Sequence, residues 1–149
     1  HNVRLKIIGN MGLFPQEVQQ AAIDAQALLA NNTGLTLIIA ANYGGQWDIA
    51  QAAQKLAKRA VDGEINTDEI NTESFEKHLS LAGQPKVDLL IRTSGELRIS
   101  NFLLWEVAYS ELYFTDTLWP DFSPAELDKA IESFNHRDRR FGTRKDEAC

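Results

Sequence analysis

Apolar residues along the chain fall into two alternating patterns. Some form short continuous runs, which are typical of buried strands, and others recur every three or four residues, which places them on one face of a helix. The short runs predict strands over residues 35–41, 87–91 and 112–115, and residues 3–8, in which apolar and charged residues alternate, predict a further strand. The spaced runs predict helices over residues 15–31, 47–61 and 72–79, and further helices that begin near residues 101 and 124. Strands that alternate with helices predict an α/β fold with an open, mainly parallel sheet flanked by helices on both faces.

Two of these elements carry sharper predictions. The strand over residues 35–41 is apolar enough for us to expect burial on both of its faces. The last helix has the clearest start, with Ser123 at the N-cap, Pro124 at the first helical position and Glu126 at the reciprocal capping position. Its spacing predicts a buried face made of Leu127, Ala130, Ile131 and Phe134.

Composition is that of an ordinary globular protein. The 149 residues suffice for one domain, so we expect a single domain over residues 1–149. A formal net charge of −6 provides no basic field for a nucleic acid, and no nucleic-acid partner is expected. The lone Cys149 can form no internal disulfide, which fits a reducing, cytoplasmic compartment. No apolar run approaches the roughly 18 residues that a membrane-spanning helix needs.

Several kinds of chemistry lack support in the sequence. His1, His78 and His136 share no metal-ligand spacing, which disfavours a zinc site. Neither a Gly-x-Ser-x-Gly elbow nor a Gly-x-x-x-x-Gly-Lys-Ser/Thr loop occurs, which disfavours a serine hydrolase and an ordinary nucleotide hydrolase. Asp48 is interpreted as a helix-start acid rather than a metal ligand.

Charged and hydroxyl side chains cluster after the strand over residues 87–91. Arg92 and Arg98 bracket Gly95, and Ser100 is the expected cap of the helix that begins at residue 101. Ligands of parallel sheets bind beyond the carboxyl ends of the strands, and arginine forks suit phosphate or diphosphate groups. The segment therefore predicts an anion site. We expect Glu111, about three helical turns beyond the cap, to return toward this site and to hold Mg²⁺.

Each of these residues also has a purely structural interpretation. Arg92 could form a surface ion pair with Glu96 or Asp88, Ser100 could be only a helix cap, and Glu111 could be a solvated helix residue. Two arginines that bracket a glycine turn at a strand end favour an anion site over three unrelated structural roles.

The segment over residues 92–114 resembles the signature of the cis-prenyltransferases. The resemblance extends, in the same order along the chain, to residues 38–48, 118–122 and 139–142. It implies a truncated cis-prenyltransferase fold and a homodimer. It also implies the condensation of isopentenyl diphosphate with an allylic diphosphate, such as farnesyl diphosphate, into a Z-polyprenyl diphosphate. Peripheral membrane contact for release of the lipid product is compatible with that activity.

The resemblance also assigns roles to individual residues. It implies that Glu111 binds Mg²⁺ together with an aspartate that has no counterpart here. It also implies that the C-terminal tail, at Arg140 and Gly142, reaches the diphosphate across the homodimer interface. The substrate-binding residues that it implies are Arg92, Arg98, Ile99, Ser100, Arg140 and Gly142.

The chain departs from the family pattern in three places. The N-terminal Asp-Gly-Asn-Gly-Arg-Trp type motif, with the catalytic aspartate, is missing, so we expect a C-terminal portion of a longer enzyme that is inactive alone. Leu97 stands where some relatives carry a metal-contacting histidine and is excluded as a ligand, and Gln46 replaces an arginine. Two alternatives stay open: a non-catalytic subunit that supports a separate catalytic partner, and a general phosphate-binding α/β module.

Overall fold

The structure is a computed structural model that describes residues 1–137. These residues form two compact units, the first His1–Gln84 and the second beginning at Pro85, and each unit is described by itself. Both contain parallel strands and helices, which confirms the predicted α/β class. Whether the chain behaves as one domain stays a prediction.

The first unit begins with a strand, a helix and a parallel strand. Strand β1 (Arg4–Ile8) pairs with β2 (Thr36–Ala40), in a register that runs from Arg4 opposite Thr36 to Ile8 opposite Ala40. Helix α1 (Gln16–Leu29) connects them and contacts β1, where Gln26 Oε1 accepts a hydrogen bond of 2.8 Å from the backbone N–H of Ile7. These three elements lie where the hydrophobic pattern predicts them.

Burial of β2 differs from the prediction. Leu37 is 48% exposed and Ile39 45% exposed, so one face of the strand is open to solvent in the structure. Side chains alternate between the two faces of a strand, and the alternation here separates these two residues from their half-buried neighbours. The expectation of burial on both faces was wrong.

Two further helices complete the first unit. Helix α2 (Gly45–Val61) begins two residues before the predicted start and buries Ala52 and Leu56. Helix α3 (Thr72–Glu76) is capped by Asn71, whose side chain accepts a hydrogen bond from the backbone N–H of Ser74. It ends three residues before the predicted limit.

Asp48 links α2 to the turn that follows α3. Its carboxylate is only 2% exposed. It accepts hydrogen bonds from the hydroxyl of Ser80 at 2.8 Å, from the backbone N–H of Ser80 at 3.1 Å and from the hydroxyl of Tyr43 at 3.0 Å. The prediction of a helix-start acid is confirmed by its place in the first turn of α2, but the side chain also holds a long-range contact.

The second unit pairs two more parallel strands. Strand β3 (Leu89–Arg92) lies beside β4 (Glu111–Phe114), with Leu89 opposite Glu111 and Arg92 opposite Phe114. Helix α4 (Pro124–Asn135) contacts β4 and has the predicted cap, in which the Ser123 hydroxyl accepts a hydrogen bond from the backbone N–H of Glu126. The side chain of Glu126 contacts Lys129 instead of reaching back, and this hydrogen bond lowers the pKa of the Glu126 carboxyl below its ordinary value.

The apolar face of α4 is only partly covered. Ala130 is fully buried, as predicted, whereas Leu127 is 42% and Ile131 43% exposed. The helix contacts β4, and at this contact Ala130 is fully covered whereas Leu127 and Ile131 stay partly open to solvent. The predicted burial of Leu127 and Ile131 was wrong, and Phe134 is half-buried.

The helix predicted from residue 101 does not form. Ser100, Asn101 and Leu103 have φ angles of 45°, 63° and 45°. These angles lie in the left-handed region, from which a right-handed helix of ordinary residues cannot begin. A short 3-10 turn over Glu106–Tyr109 follows instead, and Glu111 opens strand β4. Within residues 1–137, every helix is too short or too polar to span a lipid bilayer.

Candidate anion-binding site

Arg92 is the last residue of β3, and its side chain contacts the loop that follows the strand. One guanidinium nitrogen, Nη1, donates a hydrogen bond of 2.8 Å to the hydroxyl of Ser100 and also contacts the backbone carbonyl of Arg98. Ser100 is therefore bound to Arg92 and does not cap a helix. The predicted neighbourhood of Arg92 and Ser100 is present, although a different local structure brings them together.

The loop between these two residues is fastened to the segment that follows β4. The backbone N–H groups of Ser94 and Gly95 donate hydrogen bonds of 2.9 Å to the carbonyls of Thr117 and Thr115. Both donors have left-handed φ angles, 70° for Ser94 and 69° for Gly95. The loop is thus shaped by backbone hydrogen bonds that need a conformation favouring glycine.

Replacing Gly95 with alanine is expected to lower the free energy of unfolding by about 1–2 kcal/mol, because a left-handed φ strains any residue with a Cβ. The added Cβ would also lie 3.0 Å from Oδ1 of Asp116, which would have to shift. Urea denaturation measures the change. Gly12→Ala is the matched control, because Gly12 has an ordinary φ and its added Cβ meets Asn10 at 3.5 Å. Equal losses in the two variants would contradict the prediction.

Arg98 does not converge on Arg92 through its guanidinium. It forms a close ion pair with Glu96, and its side chain is 64% exposed. Only its backbone carbonyl contacts Arg92. The expected convergence of both guanidinium groups on one site is therefore not met in this structure, where Arg98 pairs with Glu96. Leu97 is 75% exposed, and its exclusion as a metal ligand stays a prediction.

A partly open cavity adjoins the Arg92–Ser100 pair. Its volume is about 270 Å³. It is lined by Leu90, Ile91, Arg92, Ile99, Ser100 and Phe102. Four of these side chains are apolar, and the two polar ones are hydrogen-bonded to each other at one side. The cavity therefore suits a small ligand with an anionic head and an apolar body.

Most of the apolar part of this lining is absent from the sequence predictions, which include only Ile99. The sequence places Leu90 and Ile91 only in a strand, and it gives Phe102 no role in the site. Their positions next to Arg92 and Ser100 in the sequence could have indicated that they line the site, since the neighbours of a strand-end site line the same crevice.

Glu111 lies away from the Arg92–Ser100 pair. It opposes Leu89 across the ladder, three positions before Arg92, or roughly 10 Å along the strand. Side-chain alternation also places Glu111 and Arg92 on opposite faces. The predicted return of Glu111 toward the arginines along one helix was wrong, because β4 begins at this residue. Its carboxylate instead accepts a hydrogen bond of 2.8 Å from Arg137.

The fit of Mg²⁺ can be judged from the donor set. Among residues 1–137 there is no group of three or more histidine, cysteine, aspartate or glutamate side chains that could hold a metal ion. Magnesium bound to phosphate substrates commonly takes only one or two protein carboxylates. Glu111, whose side chain is 24% exposed, fits as one such ligand and does not form a preformed metal cage. Arg140 and Gly142 lie outside the described residues, so their predicted roles stay predictions.

Comparison with known proteins places these features in a family. The prenyltransferase family model, described as "Putative undecaprenyl diphosphate synthase", matches residues 1–142. The isoprenyl transferase of Neisseria gonorrhoeae is 56% identical over 142 residues, which cover 95% of this chain and 55% of that protein. The farnesyl-diphosphate-specific ditrans,polycis-undecaprenyl-diphosphate synthase of Haemophilus influenzae is 53% identical, with coverage of 95% and 59%.

A solved structure gives the same result. Lavandulyl diphosphate synthase from Lavandula x intermedia, in complex with dimethylallyl diphosphate, superposes with a TM-score of 0.91 and 40% identity, covering 95% of this chain and 61% of that one. The chain spans a little over half the length of these relatives. The match over residues 1–142 shows that this chain belongs to the undecaprenyl diphosphate synthase family of prenyltransferases.

Proposed function

We propose that the protein to which this chain belongs is a polyprenyl diphosphate synthase, and that this chain supplies its isopentenyl diphosphate site. The reaction joins isopentenyl diphosphate to an allylic diphosphate such as farnesyl diphosphate, and releases diphosphate and a proton. The observation that carries the proposal is the Arg92–Ser100 pair at the side of an otherwise apolar cavity. A diphosphate head and a five-carbon apolar group are the two parts that such a cavity fits.

The head group would be held by the polar side of the cavity. The Arg92 guanidinium donates two hydrogen bonds to neighbouring diphosphate oxygens, and the Ser100 hydroxyl donates a third. The exposed ion pair of Arg98 with Glu96 is weak, so a diphosphate of higher charge can draw Arg98 away from Glu96. We therefore propose that the guanidinium groups of Arg92 and Arg98 converge only when the diphosphate is bound.

The apolar side of the cavity would orient the alkene. Leu90, Ile99 and Phe102 contact the isopentenyl group and exclude water from the position where positive charge develops during bond formation. No residue of this chain is assigned as a proton-transfer catalyst. Its part is to bind and orient one of the two substrates.

Glu111 and the C-terminal tail are proposed to contribute to the diphosphate site of a neighbouring protomer. When bound, Mg²⁺ would neutralise charge on a diphosphate. The β3–β4 register keeps Glu111 away from Arg92 of its own protomer, which supports service to the diphosphate on a second copy in a homodimer. Arg140 and Gly142 are proposed to reach that site in the same way.

Isopentenyl diphosphate is expected to bind this chain about five- to tenfold more tightly than inorganic diphosphate, because the five-carbon group buries apolar surface in the cavity. Isothermal titration calorimetry with both ligands measures the ratio. Phe102→Ser should lower the ratio and leave the binding of inorganic diphosphate unchanged. Equal affinity for the two ligands would favour a general phosphate-binding module and contradict the proposal.

Elongation tests the whole-protein activity. The chain is joined to the remaining portion of the Neisseria gonorrhoeae isoprenyl transferase and supplied with farnesyl diphosphate, isopentenyl diphosphate and Mg²⁺. Formation of a longer polyprenyl diphosphate supports the proposal. A folded dimer that binds isopentenyl diphosphate without elongating farnesyl diphosphate would favour the non-catalytic subunit.

A further inference from the structure

Arg137 links the end of α4 to the start of β4. It lies two residues beyond the end of the helix, and its backbone N–H donates a hydrogen bond of 3.1 Å to the carbonyl of Phe134. Its guanidinium Nη1 lies 2.8 Å from Oε2 of Glu111, a residue 26 positions earlier in the chain. The two side chains are 41% and 24% exposed. The contact is therefore partly shielded and anchored at its arginine end.

This contact engages the group that is proposed to bind Mg²⁺. A carboxylate has two oxygens, and a guanidinium that donates to one of them also neutralises the shared negative charge. A divalent cation on the same carboxylate meets a repelling positive charge within a few ångströms. The cation and Arg137 thus compete for Glu111.

We propose that Arg137 is a built-in counter-ion of Glu111 that a divalent cation must displace in order to bind. The inference rests on the proposed metal role of Glu111. An ion pair of this exposure lowers the cation affinity about two- to fivefold, which is large enough to measure and small enough to be overcome. Because linkage is reciprocal, the cation loosens the hold of Glu111 on the end of α4 by the same factor.

Titration with Mn²⁺ alone, followed by the electron paramagnetic resonance signal of the free ion, tests the competition. Arg137→Gln is expected to bind Mn²⁺ about two- to fivefold more tightly than the unchanged chain. Arg137→Lys keeps the positive charge and should stay close to the unchanged chain. Arg59→Gln removes a half-buried arginine that pairs with Glu64 and serves as the control without effect.

A second measurement needs no variant. In the unchanged chain, Mg²⁺ should shift the Arg137 Nε–H signal in nuclear magnetic resonance spectra. The midpoint of this shift should fall at the same Mg²⁺ concentration as the midpoint of cation binding. No shift during saturation, or no gain in affinity in Arg137→Gln, overturns the inference.

Glu111→Gln separates the two levels of the proposal. If this variant binds Mn²⁺ as well as the unchanged chain does, the metal role of Glu111 fails. If it loses binding while Arg137→Gln shows no gain, only the counter-ion role of Arg137 fails.

Discussion

Replacing Arg92 with methionine is expected to weaken the binding of isopentenyl diphosphate by roughly 10- to 100-fold. The loss follows from removing charge-assisted hydrogen bonds to the diphosphate, which together contribute about 1.5–3 kcal/mol. The methionine side chain retains much of the apolar volume, so the cavity walls formed by Ile99 and Phe102 should persist. Calorimetric titration of the variant and the unchanged chain measures the effect.

Two further variants show whether charge or geometry is responsible. Arg92→Lys keeps the charge but not the planar fork, so an intermediate loss is expected. Arg59→Met removes an arginine of the first unit that is bound to Glu64, and should bind like the unchanged chain. A folded Arg92→Met protein that binds within about twofold of the unchanged chain would contradict the assigned role of Arg92.

Replacing Asp48 with alanine is expected to lower the free energy of unfolding by about 3–5 kcal/mol. The change leaves the Ser80 N–H and hydroxyl and the Tyr43 hydroxyl without their shared acceptor in a buried place. It also frees the turn after α3 from α2. Urea denaturation followed by circular dichroism gives the free energy of unfolding.

The matched control is Asp24→Ala. Asp24 is exposed on α1 and accepts a hydrogen bond from Gln20, so a change within about 0.5 kcal/mol is expected. Ser80→Ala should fall between the two, because it removes one donor and leaves the backbone N–H bonded. A loss below about 1 kcal/mol in Asp48→Ala would show that the carboxylate does not hold the two segments together.

Local signals predicted most of the elements. The apolar patterns located the four strands found within residues 1–137, and the Ser123-Pro124 pair located the start of α4, because caps and periodicity act over a few neighbouring residues. The motif resemblance likewise indicated the family before any coordinates. What these signals share is that each is contained in a short stretch of chain.

The errors fall where distant residues decide the local structure. Ser100 has the composition of a helix cap, but its hydroxyl is engaged by Arg92, eight positions earlier, and its backbone is left-handed. The placement of Glu111 depended on that helix and changed with it. The Asp48–Ser80 and Glu111–Arg137 contacts span 32 and 26 residues, distances over which sequence spacing indicates nothing.

The site itself was predictable in its polar part and at Ile99. Two arginines around a glycine turn at a strand end indicated an anion, and Arg92 with Ser100 does lie beside a cavity. Spacing does not predict the ion pair of Arg98 with Glu96, because surface ion pairs of similar energy compete.

The most direct test is a nuclear magnetic resonance titration of the isotope-labelled chain with isopentenyl diphosphate. The largest shifts are expected at Arg92 Nε–H, the Ser100 amide and the Ile99 methyl groups, with Arg98 Nε–H leaving the environment it has beside Glu96 at the same ligand concentration. Saturable binding that shifts residues of other surfaces and leaves the Arg92 and Ser100 signals in place would contradict the assignment of this cavity to the diphosphate substrate.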